Sequence, residues 1–161
     1  MDVAECRWHE PGGADAAQTI AAFLESIGIG LQVGAVEASA FLPGLAIEQG
    51  TIRIDPAMQV WPGDLLHEAG HIAVTEPEKR ASLDQPGADA GEEMAAIAWS
   101  VAAARACGVG LDVLFHLEGY KGDAAWLAAE FAKGNPFGVP LLGWYGLTNE
   151  AQFPAMSRWL R

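Results

Sequence analysis

Basic residues are scarce in this chain: 9 Lys and Arg stand against 21 Asp and Glu, a formal net charge of -12. A surface of that sign repels phosphate backbones and anionic lipid instead of drawing them in by counterion release, so no nucleic-acid partner is expected. Cysteine is scarcer still. Cys6 and Cys107 are too few for a disulfide framework, and neither sits in a Cys-x-x-Cys pair, so two ordinary reduced thiols are expected. Long apolar runs are missing too: none approaches the roughly 20 residues of a spanning helix, and Met1 to Glu5 offers no basic region ahead of an apolar one. The expectation is a cytoplasmic protein with no membrane partner. What is present in quantity is apolar, 51% of 161 residues, enough for one globular domain over residues 1–161 with a real core.

The pattern along the chain predicts an α+β fold. Met1 to Gly13 has no clear period. Ile20, Phe23, Leu24 and Ile27 recur at helical spacing within Ala14 to Ile29, with Asp15 as a cap and Gly28 and Gly30 as a stop. Leu45–Glu48 and Thr51–Ile54 flank Gln49-Gly50 and read as a β-hairpin, to which Leu31 to Val36 can add a strand. Asp64 suits an N-cap for a short helix that is apolar nearly all round and is stopped by Pro77. After a polar loop from Glu76 to Gly87, Ala90 to Cys107 predicts a long helix ended by Gly108. Leu111 to Leu117 and Asp123 to Lys133 read as shorter helices, residues 136–149 as irregular, and Phe153 to Leu160 as a helical turn or two.

The chemistry is concentrated in Leu65 to Val74, which contains His67-Glu68-Ala69-Gly70-His71. Residues four apart on a helix share a face, so His67 and His71 can bind one metal ion together, with Glu68 beside them. Neutral imidazoles suit Zn2+. A catalytic zinc takes three protein ligands and keeps a fourth position for water, which Glu68 would deprotonate while the ion polarises a scissile carbonyl. Gly70 marks a close approach of another element, because glycine inside a helix costs about 1 kcal/mol relative to Ala.

A third ligand is needed. No Gly and His pair follows His71 closely enough for the extended metzincin motif, and His116 is the only histidine further on, so a carboxylate of the next helix is expected. Asp89-Ala90-Gly91-Glu92 fits a capping box that would occupy Glu92. Glu93 lies in line with Ala96, Ile97 and Ser100 and is preferred; Glu92 is the second choice. His116, Tyr120 and Tyr145 are candidate donors to a transition-state oxyanion.

A hairpin, a His-Glu-x-Gly-His helix and a helix opening Glu93-Met94-Ala95-Ala96-Ile97-Ala98-Trp99-Ser100 together resemble the gluzincin-like ImmA/IrrE metallopeptidase family over about Leu45 to Ala104. The resemblance implies a compact zincin-like domain holding Zn2+ by His67, His71 and Glu93, with Glu68 as base, and a role in cleaving regulatory proteins in bacteria. Two features depart from it: Ile97 stands where Asn is common, and no helix-turn-helix segment is attached.

The expected function is therefore a zinc-dependent metallopeptidase acting on a peptide or protein substrate. The alternative is a non-catalytic zinc-binding or regulatory protein on the same fold. Nothing in the sequence fixes the oligomeric state.

Overall fold

The computed structural model describes residues 2–135 and 137–161. In chain order its elements are β1 (Arg7–Trp8), α1 (Gly13–Ser26), β2 (Leu31–Val33), β3 (Leu45–Glu48), β4 (Thr51–Ile54), β5 (Gln59–Val60), α2 (Pro62–Val74), α3 (Pro77–Arg80), α4 (Ala90–Cys107), α5 (Leu111–Leu114), α6 (Ala124–Ala132) and α7 (Val139–Trp144). The fold class is α+β, as expected. β3 and β4 pair antiparallel with Glu48 opposite Thr51, and β2 joins the other side of β4 in parallel, giving the order β2-β4-β3. A parallel partner needs a crossover, and it needs the core-facing side chains to stay in register. Ile52 and Ile54 alternate inward, with Leu45 and Ile47 opposite them, and all four are buried.

The first correction concerns the start of α2. Its N-cap is Trp61, Pro62 takes the first helical position, and Asp64 lies inside the first turn. Proline suits that position because its missing N–H would have gone unpaired anyway. The Asp64 carboxylate is thereby free of capping duty and is used elsewhere. Asp15 is likewise inside the first turn of α1, whose N-cap is Gly12. Four further differences are smaller. Arg7–Trp8 pairs in parallel with Gln59–Val60, too short a strand to show a period. Pro77 opens α3 within the stretch read as loop, and Val139–Trp144 is helical with Pro140 in its first turn. Residues 153–160 form turns and bends, not a helix.

The core sits between α2 and its neighbours. Every residue of α2 is buried. α4 crosses it, α1 packs on another side and α5 covers its N-terminal end. Two glycines make these contacts possible: a Cβ at Gly70 would stand 2.6 Å from the Ala96 carbonyl oxygen, and one at Gly63 only 2.2 Å from that of Val113. The last carbonyls of α2 are satisfied by the C-terminal segment. Arg161 donates its backbone N–H to Ala73 (2.9 Å) and a guanidinium N–H to Val74 (3.2 Å), while Trp99 Nε1 donates to the Trp159 carbonyl (2.9 Å). Cys6 is buried, Cys107 is partly buried, and both are free thiols. No helix among the described residues is long and apolar enough to cross a membrane.

Candidate metal centre

One turn of α2 brings His67 and His71 onto the side that faces α4, and their Nε2 atoms lie 3.3 Å apart. Glu93, in the first turn of α4, approaches both: Oε1 is 3.4 Å from His67 Nε2, and Oε2 is 2.9 Å from His71 Nε2. Glu68 belongs to the same buried group, which could hold a metal ion; one ligand atom from each of His67, Glu68 and His71 lies within 4.8 Å of the others. Glu93 is the closer carboxylate. Its oxygens come within hydrogen-bonding range of both imidazoles, whereas Glu68, one residue along from His67, is turned about 100° around the helix.

The donor set suits a small divalent ion. Two atoms bound at about 2.0–2.1 Å and tetrahedral angles stand about 3.3–3.4 Å apart. The two imidazole Nε2 atoms stand 3.3 Å apart, and the Glu93 carboxylate faces both with a different oxygen toward each, Oε1 at 3.4 Å from His67 and Oε2 at 2.9 Å from His71. Ionisation favours the same use. Burial, with the neighbouring His71, lowers the His67 pKa to about 4, so its ring is neutral at pH 7 and has a lone pair to give. Burial pushes Glu93 upward, but the hydrogen bond from His71 and the charges of His67, His71 and Lys121 outweigh it and hold the carboxyl low. Burial lifts Glu68 to about 7, helped by the charges of Asp64 and Glu93 against that of His71. Its Oε1 is enclosed and has no hydrogen-bond partner among the described residues.

Glu92 departs from this group. Its backbone N–H donates to Asp89 Oδ1 (2.9 Å), one half of the expected capping box, but its carboxylate lies over Gly87 and does not return to the Asp89 amide. The three candidate oxyanion donors separate as well. Tyr120 reaches the cluster: its ring meets that of His67 edge to face, centroids 4.9 Å apart. His116 lies in a layer behind it, where Nε2 and Asp64 Oδ1 are 2.7 Å apart and the ring stacks on Trp61 at 4.2 Å with 1° between planes. Tyr145 lies beneath the Arg161 guanidinium, 4.1 Å from it, and makes no hydrogen bond or ring contact with His67 or His71.

The Asp64–His116 pair was missed in the sequence. The available signal was an acid one turn before His67 on a helix with apolar residues all round, since a buried carboxylate requires a partner. On the far face of Trp61, His9 completes a three-ring stack at 4.2 Å.

No protein-family model, no curated protein and no solved structure matches this chain.

Proposed function

We propose that this chain is a zinc-dependent metallopeptidase in which His67, His71 and Glu93 hold the ion and Glu68 is the general base. The observation that supports this most is the pair of imidazole Nε2 atoms 3.3 Å apart, spanned by the Glu93 carboxylate of a second helix with Oε1 3.4 Å from His67 and Oε2 2.9 Å from His71. When bound, Zn2+ supplies Lewis acidity, polarising a carbonyl and bringing the pKa of water toward neutrality.

The chain's own residues supply the rest. A carboxyl with a pKa of about 7 suits a group that takes a proton from the attacking water and passes it to the leaving amine at neutral pH. β4 is paired on both sides, so β3 offers the free hairpin edge along which an extended substrate would add as a strand. The experiment is incubation of protein carrying one equivalent of zinc with a diverse quenched-fluorescent peptide library. Cleavage is expected, and Glu68→Gln should abolish it while leaving zinc bound; cleavage undiminished in that variant would refute the role of Glu68.

The burial of Glu68, only 3% exposed, favours a second reading, a zinc-binding or regulatory protein without turnover. Stoichiometric zinc with no cleavage of any peptide would select it.

A further inference from the structure

A metal-ligating histidine is ordinarily fixed by a hydrogen bond from its other ring nitrogen to a carboxylate or carbonyl. His67 lacks that support: its Nδ1 is buried, and no group among the described residues accepts a hydrogen bond from it. The ring is held by other rings instead. His71 meets it at 4.8 Å and 86°, and Tyr120 meets it at 4.9 Å and 75°. His71 is itself a donor of the same cluster, so Tyr120 is the one ring of this pair that lies outside the donor set.

Tyr120 is brought there at a conformational cost. Its φ is +56° and that of Lys121 is +54°, two successive non-glycine residues in the left-handed region, which side chains larger than Asn rarely adopt. Strain of this kind persists where surrounding contacts impose it. Two contacts impose it: His116, four residues earlier, is bound to Asp64 and stacked on Trp61, and Phe115 packs against Tyr120 at 5.1 Å. The phenol oxygen is enclosed near Ser100, whose own hydroxyl donates to the Ile97 carbonyl, and it makes no regular hydrogen bond among the described residues. Leu117, on the outside of the same loop, is 86% exposed. The loop thus grips from the inside only.

We propose that Tyr120 is a positioning residue for His67: the loop 115–122, anchored through His116 on Asp64, presses the Tyr120 ring against the imidazole and holds it in the orientation that presents Nε2 to the metal. This inference rests on the metal-site reading but not on peptidase activity. Coupling of this sort is reciprocal, so metal binding must tighten the loop by the factor by which the loop tightens metal binding.

The test is zinc affinity by chelator competition for the wild type, Tyr120→Phe and Tyr120→Leu, with visible spectra of the Co2+-substituted proteins. Supporting groups behind a metal ligand are typically worth about 10–100-fold in affinity. Tyr120→Leu should lose that factor and shift the Co2+ bands, while Tyr120→Phe, which keeps the ring, should stay within about threefold of wild type with an unchanged spectrum. A merely structural tyrosine would lower the urea stability of the metal-free Leu variant and leave the spectrum alone, which would overturn the proposal. Should that variant not fold, hydrogen exchange of the wild-type chain decides. Zinc should slow exchange in residues 115–122 by at least about tenfold, and unchanged exchange overturns the proposal. A wild-type chain that binds no zinc removes the metal site and this role with it, whereas one that binds zinc but cleaves nothing removes only the peptidase reading.

Discussion

His71 Nε2 and Glu93 Oε2 are 2.9 Å apart, the shortest contact between a donor of α2 and a donor of α4. Two adjacent glutamates open α4, and only the second makes this contact. Glu93→Ala should therefore weaken zinc binding by at least about a hundredfold, as loss of one of three ligands requires, and Glu92→Ala should change it less than threefold. Chelator competition on the two variants decides between them; equal losses would reject the assignment of Glu93.

Gly70→Ala puts a methyl 2.6 Å from the Ala96 carbonyl oxygen, where the obstacle is backbone and has little freedom to move. On an isolated helix the change would gain about 1 kcal/mol. Here overpacking should exceed that gain and leave a net loss of about 1–3 kcal/mol, read from urea midpoints at unchanged m. Zinc affinity should fall in parallel, because α4 carries Glu93.

Asp64 and His116 bury one another's polar atoms, 2.7 Å apart. Removing either strands the other in the core. In a double-mutant cycle, Asp64→Ala and His116→Ala should each cost about 2–3 kcal/mol and show a coupling of at least about 1 kcal/mol. Strictly additive losses would mean that the pair contributes nothing as a pair.

Proton linkage gives Glu68 a signature in the metal-free protein. Its pKa rises from 4.5 to about 7 on folding, so between those values the folded chain keeps a proton that the unfolded chain has released. The stability tied to Glu68 is complete below pH 4.5 and is lost as pH rises toward 7. His67, lowered from 6.5 to about 4, acts in the opposite direction: its share is complete above pH 6.5 and is lost as pH falls toward 4. The two slopes oppose each other between pH 4.5 and 6.5 and flatten the wild-type profile there. Glu68→Gln should expose the histidine slope alone and should stabilise the metal-free chain above pH 7 by up to about 3 kcal/mol, with no difference below pH 4.5. Urea titrations of both proteins across that range check this; parallel profiles would contradict it.

The parts of this structure that repeat locally were legible in the sequence. Thr51–Ile54 alternates, Gln49-Gly50 turns and Ala90–Cys107 runs unbroken to a glycine, and each element appears where its own residues specify it. The approach of Glu93 was also readable from the face it shares with Ala96 and Ile97, although the capping box that set Glu92 aside is only half formed: Asp89 takes the Glu92 N–H, but the Glu92 carboxylate lies over Gly87. Contacts across long sequence separations were not. Asp64 has the chemistry of a cap and stands where a cap would, and only the fold, by bringing His116 from 52 residues away, gives its carboxylate another use. The parallel pairing of Arg7–Trp8 with Gln59–Val60 leaves no local trace, since two residues cannot show a period.

The crossing of α2 and α4 at Gly70 and Ala96 has one more consequence, which concerns the spacing an ion would meet. Because a glycine meets a backbone carbonyl there, the helices touch without side chains that could yield, and the spacing of the donors they carry becomes a fixed gauge. An ion with bonds of about 2.0–2.1 Å and tetrahedral angles would fit the imidazole nitrogens, 3.3 Å apart. Calcium would be turned away by the donors and not by their spacing, since it takes about six to eight oxygens and two of the three side chains here offer imidazole nitrogen.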